Sequence, residues 1–130
     1  MNVALEFHDS EVLSTVGACG ELRIVFSSAY IHRSSGIPGV DSGTGYVQPA
    51  ELVFSGATWQ GLSPLCSGRL SSGSLVVGGQ SLSLIPLPFS ISGRASAELV
   101  FVSGAALSVS ATSVACSCSG EPRFVETYAG

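Results

Sequence analysis

Two short stretches hold most of the residues in this chain that could do chemistry. One is "EFHDSE" at 6–11, which carries His8, Asp9 and Glu11. The other is "HRSSGIPGVDSGTGY" at 32–46, the most polar and glycine-rich run, with His32, Arg33, Ser34, Asp41, Thr44 and Tyr46. His8 and His32 are the only histidines. Joined by one of Asp9, Glu11 or Asp41, they would form a two-His-one-carboxylate set, which holds a divalent metal and leaves positions open for substrate. That is the enzyme reading: a small hydrolase or metal-dependent enzyme using His8, His32, Asp9 and Asp41. The competing reading is structural, because Asp and Ser side chains bond nearby backbone amides and "HDS" suits a turn between two short strands.

Other chemistries find less support. Asp41, Ser42 and Thr44 offer oxygen ligands, but a calcium site needs more than one carboxylate, and Glu51 would have to help. Cys116 and Cys118 share one face of a strand and would need Cys19 or Cys66 to hold a soft metal, while no C-x-x-C pair is present. Small apolar cysteines packed in a core are the expectation, reduced and unbridged to each other. There is no G-x-S-x-G elbow, and a phosphate loop is impossible without lysine. The sequence assigns no catalytic residue, no metal and no cofactor. Val40-Asp41-Ser42-Gly43-Thr44 resembles the aspartic-protease signature, whose chemistry needs two carboxylates sharing a proton. Pro38-Gly39 stand where that family has an apolar strand, and Ser103 interrupts the second apolar segment.

The elements that must position these residues are strands. Leu22, Ile24 and Phe26 alternate with Arg23, Val25 and Ser27, and Leu107, Val109 and Ala111 alternate with Ser108, Ser110 and Thr112. One apolar and one polar face is the mark of half-buried antiparallel strands. Gly78-Gly79 and Ser103-Gly104 read as hairpin turns. The pattern predicts an all-β, antiparallel sandwich or barrel of about eight or nine strands in one domain, 1–130, with strands near 2–7, 11–16, 21–31, 46–58, 68–77, 80–85, 92–102, 105–116 and 122–128. "IPLPF" at 85–89 suits an edge or crossover, because proline cannot donate to a central ladder. Residues 99–120 carry no charge but read as a hairpin of two strands. "AELVFSGA" at 50–57 nearly recurs as "AELVFVSGA" at 97–105, the same strand-and-turn chemistry used twice.

Composition narrows the function. Charged residues are 11% of the chain and the net charge is −4, with five scattered arginines. Phosphate-backbone binding needs clustered basic residues, so nucleic acid is excluded. Without a charged n-region and apolar stretch at the start, a cytoplasmic protein is expected, with no membrane partner. A mean hydropathy of +0.49 on so small a domain predicts a homo-oligomer, most simply a twofold dimer, with 84–89 as the apolar patch.

Phe7-His8-Asp9-Ser10-Glu11-Val12 resembles the F-H-D-[SA]-x-V opening of small bacterial β proteins, some assigned as toxin-immunity proteins. "GEPRFVETYAG" at the end is similar to how such chains finish. The resemblance implies a non-enzymatic module that binds another protein, and it implies no catalytic residues. The contact surface expected is the long connection 32–46, through His32, Arg33, Ser34, Asp41, Thr44 and Tyr46. His8, Asp9 and Glu11 form a second polar cluster.

Overall fold

A computed structural model describes residues 1–129. The chain is all β, with ten strands: β1 (Asn2–Ala18), β2 (Glu21–Ser34), β3 (Gly43–Ser55), β4 (Thr58–Gln60), β5 (Gly68–Val77), β6 (Gln80–Leu82), β7 (Leu84–Leu87), β8 (Phe89–Phe101), β9 (Ala106–Cys118) and β10 (Arg123–Tyr128). Six of them close an antiparallel barrel in the order β1-β2-β3-β9-β8-β5 and back to β1. The barrel inside is solid. Phe7, Phe26, Phe54 and Phe101, with Leu5, Leu22, Ile24, Ile31, Leu52, Leu70, Leu75 and Ile85, are all less than 2% exposed. Each contributes about 1.5–3 kcal/mol over leaving the same side chain in water. Polar alternates such as Ser108 and Ser110 point out. No helix among the described residues is long and apolar enough to cross a membrane.

The long strands change neighbours along their length. The second half of β1 pairs with β5, and its first half, Val3 to Glu6, pairs with β7. Ala50 to Ser55 of β3 pair with β9, whereas Gly43 to Val47 pair with β10. One end of the barrel therefore opens into a sheet of order β7-β1-β2-β3-β10. This sheet carries Glu6, His8, Asp9, Tyr30, His32, Glu126 and Tyr128.

The expected strand list needs three corrections. The runs at 2–7 and 11–16 are one strand interrupted by a bulge. The run at 46–58 divides into β3 and β4, and 80–85 divides between β6 and β7, giving ten strands rather than eight or nine. The connection after β2 shrinks to residues 35–42, because His32, Arg33 and Ser34 continue β2 and pair with Gly45, Thr44 and Gly43 of β3. The proposed apolar patch at 84–89 is also covered. Ile85 is fully buried, and Leu87 and Phe89 pack against the core, since β7 docks on β1 as an edge strand.

Candidate functional site at the bulge of β1

The bulge is written into "EFHDS". Glu6 pairs with Tyr30, and the next pair is Glu11 with Ser28, so Phe7 to Ser10 stand opposite Ala29 alone. Extra residues in one strand must leave the ladder and unpair its partner. Two residues make this tolerable. Phe7 turns inward as an anchor, pressed over Gly73, where even a methyl group would sit 2.7 Å from the Phe7 side chain. Ser10, fully buried, repairs the ladder: its Oγ accepts the Tyr30 N–H at 2.9 Å and donates to the Glu6 carbonyl. A hydroxyl can do both at once, which an alanine cannot. Between these anchors Asp9 takes a φ of +71°, a conformation that Asp tolerates better than most side chains. His8 and Asp9 are thus lifted to an exposed crest, with His8 Nδ1 3.4 Å from Asp9 Oδ2.

A second group lies beside it on the outer face. Tyr30 and His32 point out from β2 and cross β3 to reach β10. Tyr30 Oη donates to Glu126 Oε1 at 2.7 Å, and His32 Nδ1 lies 2.6 Å from Tyr128 Oη. The crossing is possible because β3 has glycine below it. A Cβ on Gly45 would fall 2.1 Å from Tyr30 Oη. The rings of Tyr30 and Tyr128 pack edge-on to His32, with centroids 5.0 and 5.5 Å away. Burial pushes both phenols above their ordinary range. For Tyr30 the hydrogen bond to Glu126 adds to this, and for Tyr128 the Gly39 backbone N–H opposes it. The Tyr128 hydroxyl and His32 Nδ1 share one hydrogen, and the other ring nitrogen is Nε2. That nitrogen is sealed from solvent, has no hydrogen-bond partner, and faces Glu6 Oε1 at 3.5 Å.

Glu6 is the joint between the two groups. Its carboxylate lies 3.5 Å from His32 Nε2. Glu6, His8 and Asp9 also bring donor atoms within 4.8 Å of one another. Glu6 and His8 also line a cleft shared with Gly39, Val40, Ser71, Ser72 and Leu84.

The cleft is bounded by the connection 35–42, a fixed structure. Asp41 Oδ2 accepts the Ile37 N–H at 2.6 Å, and the Val40 and Asp41 N–H groups return to the Ile37 carbonyl. Ser34 Oγ donates to the Ser42 carbonyl and accepts the Gly36 N–H, and Asn2 Nδ2 donates to the Gly36 carbonyl. Around this frame Ile37 and Val40 remain 62% and 63% exposed.

The residues singled out in the sequence therefore divide. His8, Asp9 and His32 converge, but on Glu6 rather than on Asp41. Glu11 is exposed and lies beyond the bulge, opposite Ser28 and Arg69. Asp41 stands on an exposed tip with its carboxylate bound to its own turn, so the protease and two-His-Asp41 arrangements are not built. The six loop residues do not form one contact surface. His32 and Ser34 are buried, and Arg33 turns to the opposite face, its guanidinium 4.6 Å from the Tyr46 ring centre. Tyr46 in turn packs edge-on to Phe124. Thr44 is a half-buried strand residue opposite Arg33. Glu6, Tyr30, Glu126 and Tyr128 were missed. The available signal was Gly43-x-Gly45, two glycines on one face of a strand, which opens a groove for long side chains from the neighbouring strand. Compared with protein-family models, curated proteins and solved structures, the chain matches none.

Proposed function

We propose that this chain is a non-enzymatic protein-binding module, of the immunity type, that meets its partner through the tip of the 35–42 connection. One observation carries the reading: Ile37 and Val40 are exposed apolar side chains on a backbone already fixed by side-chain hydrogen bonds. Binding ordinarily costs the ordering of loop and side chains, and a pre-set loop avoids much of that cost. Apolar anchors at the centre of a contact, ringed by polar groups, are where binding energy concentrates. Here Ser35, Asp41 and Ser42 supply exposed polar surroundings. A net charge of −4 favours a basic partner through encounter rate. Self-association belongs to the same reading, now through Leu13, Leu65 and Val102, each at least 60% exposed, rather than through 84–89. A cytoplasmic setting remains part of the proposal.

Photocrosslinking from position 37 or 40 in cells tests the contact. A discrete adduct is expected there and none from position 108 on the outer face of β9. The double variant Ile37→Asp, Val40→Asp abolishes binding of the purified partner while the fold is retained. Equal adducts from position 108, or unchanged binding by the double variant, would overturn the proposal.

A further inference from the structure

We infer that the β1 bulge is a divalent-cation site, with Glu6, His8 and Asp9 as ligands. The inference is independent of the protein contact proposed above. Three donors of mixed type, two carboxylates and an imidazole, already lie within 4.8 Å of one another on one short segment. Nitrogen with oxygen donors suits zinc, cobalt or another first-row divalent ion, with water completing the shell from the adjoining cleft.

Two further observations point to a ligand. The first is His32, nine-tenths buried, whose Nε2 has no hydrogen-bond partner and lies 3.5 Å from Glu6 Oε1. A metal-bound carboxylate takes an outer hydrogen-bond donor, and an imidazole nitrogen 3.5 Å from Glu6 Oε1, on a ring fixed by Tyr128, stands where one is needed. The second is charge. Among the described residues, the ion pairs made by arginine go from Arg23 to Glu21 and Glu51, and none reaches Glu6 or Asp9. Among the described residues, the basic side chains that reach these two carboxylates are the histidines. The bulge thus gathers two carboxylates without an arginine to offset them, which a divalent ion would do.

The chain's construction supports a bound ion. Phe7 and Ser10 fix the backbone of the segment from both sides, so the crest that carries His8 and Asp9 is formed without a metal. The ion would bring no covalent change to the protein.

The test uses the full chain, stripped by a chelator and titrated with Co²⁺ or Zn²⁺ by calorimetry, with visible absorption followed for Co²⁺. One equivalent is expected, with a weak cobalt spectrum of nitrogen and oxygen ligation. Saturating Zn²⁺ raises the melting temperature, as any ligand of the folded state does. His8→Ala and Asp9→Asn each weaken binding by at least about tenfold. His8 is exposed, and Asn accepts the positive φ of Asp9, so both variants retain the fold. Absence of stoichiometric uptake up to about 1 mM metal, a standard free energy near −4 kcal/mol, would overturn the inference. So would unchanged affinity in both variants. An intense thiolate-to-cobalt band would also overturn it, because it would place the ion on a cysteine such as the exposed Cys19.

Discussion

Replacing Gly45 with alanine tests whether the Tyr30 crossing is real. The added Cβ would sit 2.1 Å from Tyr30 Oη and 2.7 Å from Cζ. A contact that close cannot be absorbed by a small hydroxyl rotation, because the ring carbon is also too near. The ring must swing away, and the 2.7 Å bond to Glu126 is then lost. Overpacking of this kind costs about 1–3 kcal/mol. The lost hydrogen bond adds about 0.5–1.5 kcal/mol, near the low end because Glu126 is exposed. The expected destabilisation is about 2–4 kcal/mol, or a fall in Tm of roughly 8–15 °C for a domain of this size. A double-mutant cycle with Tyr30→Phe isolates the cause. Tyr30→Phe removes the atom in closest conflict, so Gly45→Ala should cost at least about 1 kcal/mol less in that background. Urea denaturation of the four proteins gives the numbers. If the two effects simply add within about 0.5 kcal/mol, Tyr30 does not cross Gly45.

Other outcomes follow from the same physical terms. Ser10→Ala leaves the buried Tyr30 N–H and Glu6 carbonyl without their bridge, so stability should fall by about 1–3 kcal/mol and the Tyr30 amide should exchange faster with deuterium. Burial pushes the Cys116 thiol up to about 12 from an ordinary value of 9.0. A group whose folded pKa is raised gives its full contribution below the unfolded value and loses it as pH rises through the folded one. Melting temperature should therefore decline from about pH 9 upward, and Cys116→Ala should flatten that decline. Gly17→Ala would place a Cβ 2.4 Å from the Trp59 ring, and since Trp59 is the only tryptophan, its fluorescence should shift to the red as the ring lifts into water.

The barrel was legible because period-two alternation is enforced wherever a strand has one dry face. Leu22, Ile24 and Phe26 could be read as inward without knowing their partners. The bulge was not legible for the opposite reason. "FHDS" carries strong turn signals, and a turn between two strands and a bulge within one strand use the same residues. Only the strand opposite decides between them, and that information sits at Tyr30 and Ser28, some twenty residues away. The apolar run at 84–89 misled because hydropathy records how apolar a segment is, not what covers it, and its cover is the Val3–Glu6 stretch of β1. The Glu6 site was half visible. His8, Asp9 and His32 drew attention as titratable groups, but a lone Glu in a strand of alternating pattern looks like an ordinary solvent-facing residue. Its meaning comes from a diagonal neighbour across the β1–β2 ladder.

The closure of the barrel divides the chain in two. β1, β2 and β3 form one continuous meander, and β5, β8 and β9 form a second sheet from the remaining half. The halves meet along two seams, β1 with β5 and β3 with β9. β4, β7 and β10 each lie across from the half that encodes them, on β9, β1 and β3. A cut in the connection at 61–67 separates these halves without severing a strand and leaves β4 with the first. Two fragments made there would each expose the apolar face the other covers, and each would hold short strands that clasp its counterpart. Such pieces are built for reassociation from separate polypeptides. The Tyr30–Glu126 bond, with one end in either fragment, would form only when they had rejoined.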